Sequence, residues 1–335
     1  MSSDDSFIHA CAGGAGGVIA MTATYPLMSI SMRAAVQSSK HPEESMVTAA
    51  AKIIQKEGIT GLYSGLNSSL IGVGVSNFIY YFFFEKTRDA ILVSKQRVVA
   101  ANTSNPAAAI AAGGALSTLE SMLAGFIAGS ATTIATNPIW VINTRQTVRT
   151  DSEEAKKAPG QVVQKQNGQA PVKKMGFIQT ANHVLKTDGL AAFWRGLGPA
   201  LVLVINPILQ YTAFEQLKNW LVKSRLARLP EAQRGLGVTL SDLDFFLLGA
   251  LSKLFATGLT YPQIVIKSRQ QSGGKGSSNV WTAMTEIVQR EGIAGLYRGI
   301  ASKLLQSVAT AGILFASKEQ VFRSVKLLLA ADAKK

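Results

Sequence analysis

One pattern occurs three times in the chain: Tyr25-Pro26 followed by Arg33, Asn137-Pro138 followed by Arg145, and Tyr261-Pro262 followed by Arg269. In each copy the arginine comes seven residues after the proline. A second pattern follows, in which an acidic residue and a glycine precede an aromatic residue and another glycine: Glu57-Gly58 with Tyr63-Ser64-Gly65, Asp188-Gly189 with Trp194-Arg195-Gly196, and Glu291-Gly292 with Tyr297-Arg298-Gly299. Two patterns that recur in the same order indicate an internal repeat.

Each unit has the features of two long helices joined by a short one. The prolines Pro26, Pro138 and Pro262 are expected to kink the first helix of each unit, because proline removes a backbone hydrogen bond. Amphipathic segments come next and are expected to lie on a membrane surface: Val47–Lys56, Phe177–Thr187 and Val280–Arg290. The second long helices are predicted over about 66–92, 198–223 and 301–328.

These features predict an all-α membrane protein with six transmembrane helices. They form three tandem two-helix repeats with pseudo-threefold symmetry, together with three short surface helices. The predicted repeats cover residues 1–98, 115–225 and 238–330. Repeat two contains an extended polar loop, 150–174, which is expected to be disordered.

The composition favours a membrane protein over a soluble one. Charged residues make up 16% of the 335 residues, against about 25% in soluble domains. The best apolar segments, such as Leu66–Phe84, contain no charge but several small polar residues. This mixture is typical of helices that line a polar cavity. The net charge of +14 suits anionic solutes or lipids, and no nucleic-acid-binding motif occurs.

The sequence does not indicate an enzyme. Cys11 is the single cysteine, and His9, His41 and His183 are scattered, so neither a metal site nor a disulfide is expected. No glycine-rich nucleotide loop and no activated nucleophile is recognisable. No cofactor is predicted.

The triplicated patterns resemble those of the mitochondrial carrier family (solute carrier family 25) over essentially the whole chain. The resemblance implies a monomeric carrier whose central site opens alternately to each side of the membrane, and it implies binding of anionic lipids at Gly65, Gly196 and Gly299, where helices begin. The segment from Asn137-Pro138-Ile139-Trp140 to Arg145 is similar to the peroxisomal adenine nucleotide and cofactor carriers. That branch implies an exchange of ATP for AMP or ADP in the peroxisomal membrane.

The chain departs from the family pattern where the inner gate is expected. The family's acidic positions hold Met28, Trp140 and Ile264, and its first basic positions hold Ser31, Asn143 and Lys267. The inner gate is therefore expected to close through packing and hydrogen bonds. At the other end, charged residues recur near the ends of the second helices: Glu85, Arg88, Glu215, Lys218 and Glu319. Cyclic pairing would join Glu85 to Lys218 and Glu319 to Arg88; alternatively, these charges only lie at the water interface.

The candidate substrate site is drawn from polar or small residues inside the long helices. Lys253 lies nine residues before Pro262, where a buried lysine is costly without a function. The other candidates are Lys303, Gln306, Gly72, Ser76, Tyr80, Asn206 and Gln210. For the lysines the alternative is a structural or lipid-binding role, and for the amides it is hydrogen bonding between helices.

Three questions remain open at the level of sequence. Arg33, Arg145 and Arg269 either form an inner basic ring that attracts phosphates or point away from the cavity. The solute is either an adenine nucleotide or CoA, NAD or FAD, and the membrane is either peroxisomal or the mitochondrial inner membrane. A carrier for a carboxylate and a non-transporting membrane scaffold are the remaining alternatives, and a carrier for a nucleotide-like anion is favoured.

Overall fold

The computed structural model of the chain describes residues 3–37, 45–102, 116–148, 175–228, 240–273 and 279–313, and in these ranges every regular element is a helix. Repeat one contains α1 (Ser3–Val36), α2 (Met46–Glu57) and α3 (Leu66–Asn102). Repeat two contains α4 (Thr118–Val148), α5 (Phe177–Asp188), α6 (Leu197–Val202) and α7 (Asn206–Arg228). Repeat three contains α8 (Asp242–Gln271), α9 (Val280–Glu291) and α10, which includes residues 300–313.

The all-helical fold and the three short amphipathic helices are confirmed. The short helices α2, α5 and α9 begin and end within about one residue of their predicted bounds. Each ends at a glycine with positive φ and leads into a 3-10 turn, namely Ile59–Tyr63, Leu190–Trp194 and Ile293–Tyr297. The predicted disorder of 150–174 and the gate residue Glu319 lie outside the described residues.

The long helices differ in length and in apolar character. Among the described residues, Leu190–Arg228 and Leu243–Gln271 are long and apolar enough to cross a membrane. Helices α1, α3 and α4 contain 34, 37 and 31 residues, which exceeds the roughly 20 residues that a span requires. The number of six spans therefore remains a prediction.

Prolines lie inside the first helix of each repeat, as expected. Pro26, Pro138 and Pro262 are internal to α1, α4 and α8. In repeat two the second helix is interrupted by the 3-10 turn Leu203–Ile205 directly before Asn206-Pro207. Proline cannot donate a backbone hydrogen bond, which explains why the helix changes its geometry there.

In each repeat the same hydrogen bond joins the two long helices next to the proline. The residue before the proline donates a hydrogen bond to the carbonyl before the motif glycine: Tyr25 Oη to Ser64 O at 3.0 Å, Asn137 Nδ2 to Arg195 O at 3.2 Å, and Tyr261 Oη to Arg298 O at 2.8 Å. Each second helix therefore starts against the proline of its own repeat.

The three repeats are joined to one another by hydrogen bonds at this end, which we call the proline end. Between repeats one and two, Asn143 Nδ2 donates to Gly65 O (2.8 Å) and to Ser69 Oγ (2.7 Å). Between repeats two and three, Thr144 Oγ1 donates to Gln271 Oε1 at 3.1 Å. Between repeats three and one, Ser31 Oγ donates to the carbonyl of Gly299 at 3.0 Å. Hydrogen bonds thus close the proline end, as the departures from the family pattern predict.

The motif glycines are pressed against the neighbouring repeat. Gly299 has φ +79°, and a Cβ built on it would lie 2.7 Å from the backbone oxygen of Ser31. Gly65 and Gly196 have φ +89° and +76° and are equally crowded. Only glycine fits both the left-handed backbone and this approach. Packing therefore explains these glycines, whereas their predicted role in binding lipid stays a prediction.

Replacing Gly299 by alanine should destabilise the fold. The change adds backbone strain and a clash with repeat one, together about 1–3 kcal/mol or more. Thermal unfolding of the purified protein in detergent should show a lower midpoint. Gly74→Ala is the matched control, because its added Cβ would contact nothing within 4 Å. An equal midpoint for the two variants would contradict the packing role.

Replacing Asn143 by leucine should also lower the unfolding midpoint. Asn143 is fully buried, and the change removes two hydrogen bonds between repeats, worth about 1–3 kcal/mol together. Asn77→Leu, on the exposed side of α3, should leave the midpoint nearly unchanged. If both leucine variants unfold alike, hydrogen bonding at the proline end does not hold the repeats together.

Candidate functional site

A cavity of about 650 Å³ lies between α3, α4 and the second long helix of repeat two, and one residue of α8 also reaches it. Its wall combines aromatic rings, hydroxyl groups and one ammonium group. The lining includes Ser76, Tyr80, Thr132, Thr136, Trp140 and Lys267. A wall of this kind can accept an aromatic ring together with polar and anionic groups.

The predicted face of α3 lies partly on this wall. Ser76 and Tyr80 line the cavity, and the buried Oγ of Ser76 has no hydrogen-bond partner among the described residues. A ligand could satisfy this hydroxyl. Gly72 lies one turn away, and a Cβ built there would be 3.4 Å from the ring of Trp140. The space expected beside Gly72 is thus occupied by the indole.

Lys253 and Asn206 meet between α8 and α7. The Nζ of Lys253 donates to Oδ1 of Asn206 at 3.4 Å. The amide of Asn206 in turn donates to Thr260 Oγ1 at 2.7 Å and to Ala256 O at 3.2 Å. The structure therefore brings these two predicted residues together. Gln210 follows one turn later on α7 and is half-buried.

Lys303 and Gln306 share one face of α10, as their spacing predicts. The Nζ of Lys303 donates to Oε1 of Gln306 at 2.9 Å. Gln306 Nε2 donates to Thr310 Oγ1 at 3.1 Å, and the hydroxyls of Thr310 and Thr24 lie 2.9 Å apart. This chain of polar groups connects α10 to α1.

Lys303 lies within electrostatic range of two other lysines of repeat three. The charge of Lys303 interacts electrostatically with the charges of Lys253 and Lys267. Lys253 and Lys303 are bonded to neutral amide oxygens, and Lys267 lies 6.0 Å from the ring centroid of Trp140. None of the three forms an ion pair within the described part of the chain. Sequence reasoning noted Lys267 as a motif base but did not include it in the substrate site.

The predicted pair between Glu85 and Lys218 is not formed in this conformation, and the predicted pair between Glu319 and Arg88 includes a residue outside the described ranges. Glu85 pairs with Arg88 at 3.0 Å, and Glu215 pairs with Lys218 at 3.6 Å, each within its own helix. A partner three residues away on the same helix is always within reach. Partners in other repeats become available only where the helix ends approach each other.

Two other ion pairs join neighbouring repeats at this end. Lys95 near the end of α3 pairs with Glu120 at the start of α4, at 2.7 Å. Arg225 near the end of α7 pairs with Asp244 at the start of α8, at 2.5 Å. Sequence reasoning missed these pairs. The recurrence of an acid in the first turn of α4 and of α8 could have indicated them.

The motif arginines do not form a free basic ring. Arg33 pairs with Glu57, Arg145 pairs with Asp188 at 2.5 Å, and Arg269 pairs with Glu291 at 2.6 Å. In each repeat the arginine of the first pattern thus neutralises the acid of the second pattern. None of the three arginines is among the residues that line the cavity, and their charge is already balanced, which favours the alternative in which they point away from it.

The described residues contain no group of His, Cys, Asp and Glu side chains that could hold a metal ion. Of the predicted site residues, Ser76 and Tyr80 line the cavity, together with the ammonium of Lys267. Lys253 and Lys303 of repeat three are not among the residues that line it. Such an arrangement can bind an anion that carries an aromatic ring.

Comparison with known proteins agrees with this architecture. The sequence profile of the family described as "Mitochondrial carrier protein" matches residues 2–95, 114–225 and 239–327. The chain is 33% identical to the peroxisomal nicotinamide adenine dinucleotide carrier of Arabidopsis thaliana, over 97% of this chain and 98% of that protein. It is 31% identical to the peroxisomal membrane protein PMP34 of Mus musculus, over 95% of this chain and 92% of that protein.

A third relative is named as a nucleotide transporter. The peroxisomal adenine nucleotide transporter 1 of Saccharomyces cerevisiae is 27% identical, over 85% of this chain and 78% of that protein. The three matched segments coincide with the three sets of patterns described above. This chain is a carrier protein with a threefold repeat and belongs to the mitochondrial carrier family.

Proposed function

We propose that the chain exchanges adenine nucleotides, ATP against AMP or ADP, across the peroxisomal membrane by alternating access. The observation that carries the proposal is the lysine cluster of repeat three, in which Lys253 and Lys303 have only neutral hydrogen-bond partners. Positive charges in a low-dielectric site are costly unless an opposite charge approaches them. A solute with several phosphate charges supplies that opposite charge.

The other candidate residues fit the remaining parts of a nucleotide. The unpartnered hydroxyl of Ser76 and the rings of Tyr80 and Trp140 lie on the cavity wall, and the Trp140 indole fills the space beside Gly72. These residues would hold the base and the ribose. Gln210 and Gln306 would donate hydrogen bonds to the ribose or to phosphate oxygens, and Asn206 would contribute by holding the ammonium of Lys253. Lys253 and Lys303 would bind the phosphates through charge-assisted hydrogen bonds.

A carrier for CoA, NAD or FAD is the second candidate, and the relative named as a nicotinamide adenine dinucleotide carrier favours it. These solutes also combine an adenine ring with phosphates. Uptake of labelled ATP, CoA and NAD into liposomes that contain the purified protein separates the two candidates. Uptake of each solute is measured with and without internal counter-substrate, which distinguishes exchange from uniport.

The protein acts as a monomer with six membrane-spanning helices and three repeats over about 1–98, 115–225 and 238–330. Anionic lipid head groups bind near Gly65, Gly196 and Gly299, where backbone N–H groups at the helix starts favour anions. When the proline end opens, the opposite end closes and brings the charges of Glu85, Lys218 and their counterparts towards one another.

Replacing Lys253 by alanine should reduce ATP uptake more than AMP uptake. A hydrogen bond between a charged donor and a phosphate contributes about 1.5–3 kcal/mol, which corresponds to roughly tenfold to a hundredfold in affinity. Lys253→Arg should retain part of the uptake, and Lys303→Ala should have a smaller effect. Initial rates for AMP, ADP and ATP in liposomes measure the differences.

The exposed lysine Lys86 provides the control for this series. Lys86→Ala should leave uptake unchanged for all three nucleotides. An equal reduction for AMP, ADP and ATP in Lys253→Ala would argue for a structural lysine and against a phosphate site.

The tagged protein should colocalise with a peroxisomal membrane marker. Relatives named as peroxisomal cover 85–97% of this chain, which supports this expectation. Fluorescence imaging against peroxisomal and mitochondrial markers in the same cells tests it. Colocalisation with the mitochondrial marker would refute the peroxisomal assignment and leave the carrier function standing.

A further inference from the structure

The side chain of Lys267 departs from the pattern set by the other two repeats. Ser31, Asn143 and Lys267 occupy the same position, five residues after the proline. Ser31 donates a hydrogen bond to the carbonyl of Gly299, and Asn143 donates to the carbonyl of Gly65, so both side chains close a junction between repeats. By the same rule Lys267 would donate to the carbonyl of Gly196. Instead its side chain lines the cavity.

Another residue closes the third junction. Gln271, one turn after Lys267, accepts a hydrogen bond from Thr144 Oγ1 at 3.1 Å and donates to Asn137 Oδ1 at 3.2 Å. Gln271 is 2% exposed, so this connection is fully buried. The junction between repeats two and three therefore does not need the ammonium of Lys267. That ammonium is available for another partner.

The surroundings of the Lys267 ammonium are suited to an anion. Within the ranges that the structure describes, its contact is the ring face of Trp140, 6.0 Å from the centroid. A cation over an aromatic face gains about 0.5–1 kcal/mol at exposed sites and more when it is desolvated, which is weaker than a charge-assisted pair. Lys303 adds a second positive charge within electrostatic range. An approaching phosphate can therefore replace the ring as the partner of the ammonium.

Trp140 belongs to the same site. Its indole lines the cavity and lies between Gly72 on α3 and Lys267 on α8. A carboxylate at this position would pair with Lys267 and compete with an anionic solute for it. The aromatic ring holds the lysine in place without neutralising its charge.

We propose that Lys267 and Trp140 form an oligophosphate-binding subsite at the closed end of the cavity, where Lys267 leaves the indole face to bind the terminal phosphates of the solute. The inference deepens the proposed function and rests on it for the identity of the solute. Lys303 supplies a second positive charge within electrostatic range of Lys267. The subsite should consequently discriminate solutes by the number of their phosphates.

Thermal unfolding of the full-length protein in detergent tests the subsite with simple probes: inorganic triphosphate, pyrophosphate and phosphate. Ligands that bind the folded state raise its unfolding midpoint. The wild-type midpoint should rise most with triphosphate and least with phosphate. Lys267→Met should lose most of the triphosphate shift, whereas Lys267→Arg should keep it. Each variant is compared with its own midpoint without ligand, so that an altered basal stability does not affect the result.

Substitutions of Trp140 separate the subsite from a merely structural contact. Trp140→Glu should abolish most of the triphosphate shift, because the new carboxylate pairs with Lys267. Trp140→Phe keeps a ring and should behave like the wild-type protein. If the cation–π contact only closed the gate, the stronger ion pair in Trp140→Glu would stabilise the protein and leave the triphosphate shift unchanged. That result, an unchanged shift in Lys267→Met, or the absence of any triphosphate shift in the wild type would overturn the proposal.

Uptake measurements connect the subsite to transport. In Lys267→Met the KM for ATP should rise about tenfold or more, and the KM for AMP should rise less. Equal changes for the two nucleotides would overturn the subsite. A wild-type protein that takes up no adenine nucleotide would refute the proposed substrate, while the triphosphate shift would still decide the role of Lys267.

Discussion

The close approach of three glycines to neighbouring repeats is the constraint on which the rest of the structure depends. Gly65, Gly196 and Gly299 each start a long helix in a left-handed backbone conformation and touch side-chain or backbone atoms of the next repeat. A larger residue would separate the repeats at this point. Because the backbones come so close, the short side chains of Ser31 and Asn143 reach carbonyl groups across the junction. In this geometry hydrogen bonds close the proline end. The ion pairs that the family pattern has between the repeats are not needed for this closure.

The absence of acids at Met28, Trp140 and Ile264 has an electrostatic consequence for the cavity. A carboxylate at the position of Trp140, whose ring centroid lies 6.0 Å from the Lys267 ammonium, would neutralise the charge of that lysine. As the chain stands, the nearest partners of Lys253, Lys267 and Lys303 are two amide oxygens and an indole ring. Neutral partners hold the side chains in position but leave their charges uncompensated. The same substitutions thus weaken the gate electrostatically and strengthen the attraction for an anion.

The site is asymmetric although the scaffold repeats three times. The ion pair between the motif arginine and the motif acid occurs in all three repeats, for example between Arg269 and Glu291. The lysine cluster belongs to repeat three alone, whereas the ring and hydroxyl groups of the cavity come mainly from repeats one and two. A nucleotide has no threefold symmetry, so a carrier for it needs different chemistry on each side. The repeated contacts hold the helices, and the proposed solute site consists of unrepeated residues.

The sequence by itself determined the repeat, the helical class and the bounds of the short helices. Local signals carry this information: the amphipathic period of α2, α5 and α9, and the glycines that end them. It also placed Lys303 and Gln306 on one face, because residues three apart on a helix are neighbours. Contacts within one helix, or between patterns of one repeat, are thus accessible to sequence reasoning.

Only the tertiary structure decided which partners the charged residues take. The sequence is compatible either with an inner ring of Arg33, Arg145 and Arg269 or with arginines that point away from the cavity. In the structure each arginine forms an ion pair with the motif acid of its own repeat. Glu85 and Glu215 likewise pair with basic residues of their own helices. Lys267 lines the cavity, whereas Gln271, one turn later on the same helix, forms the hydrogen bonds of the junction. Distances between helices determine all of these outcomes, and they arise only when the repeats pack against one another.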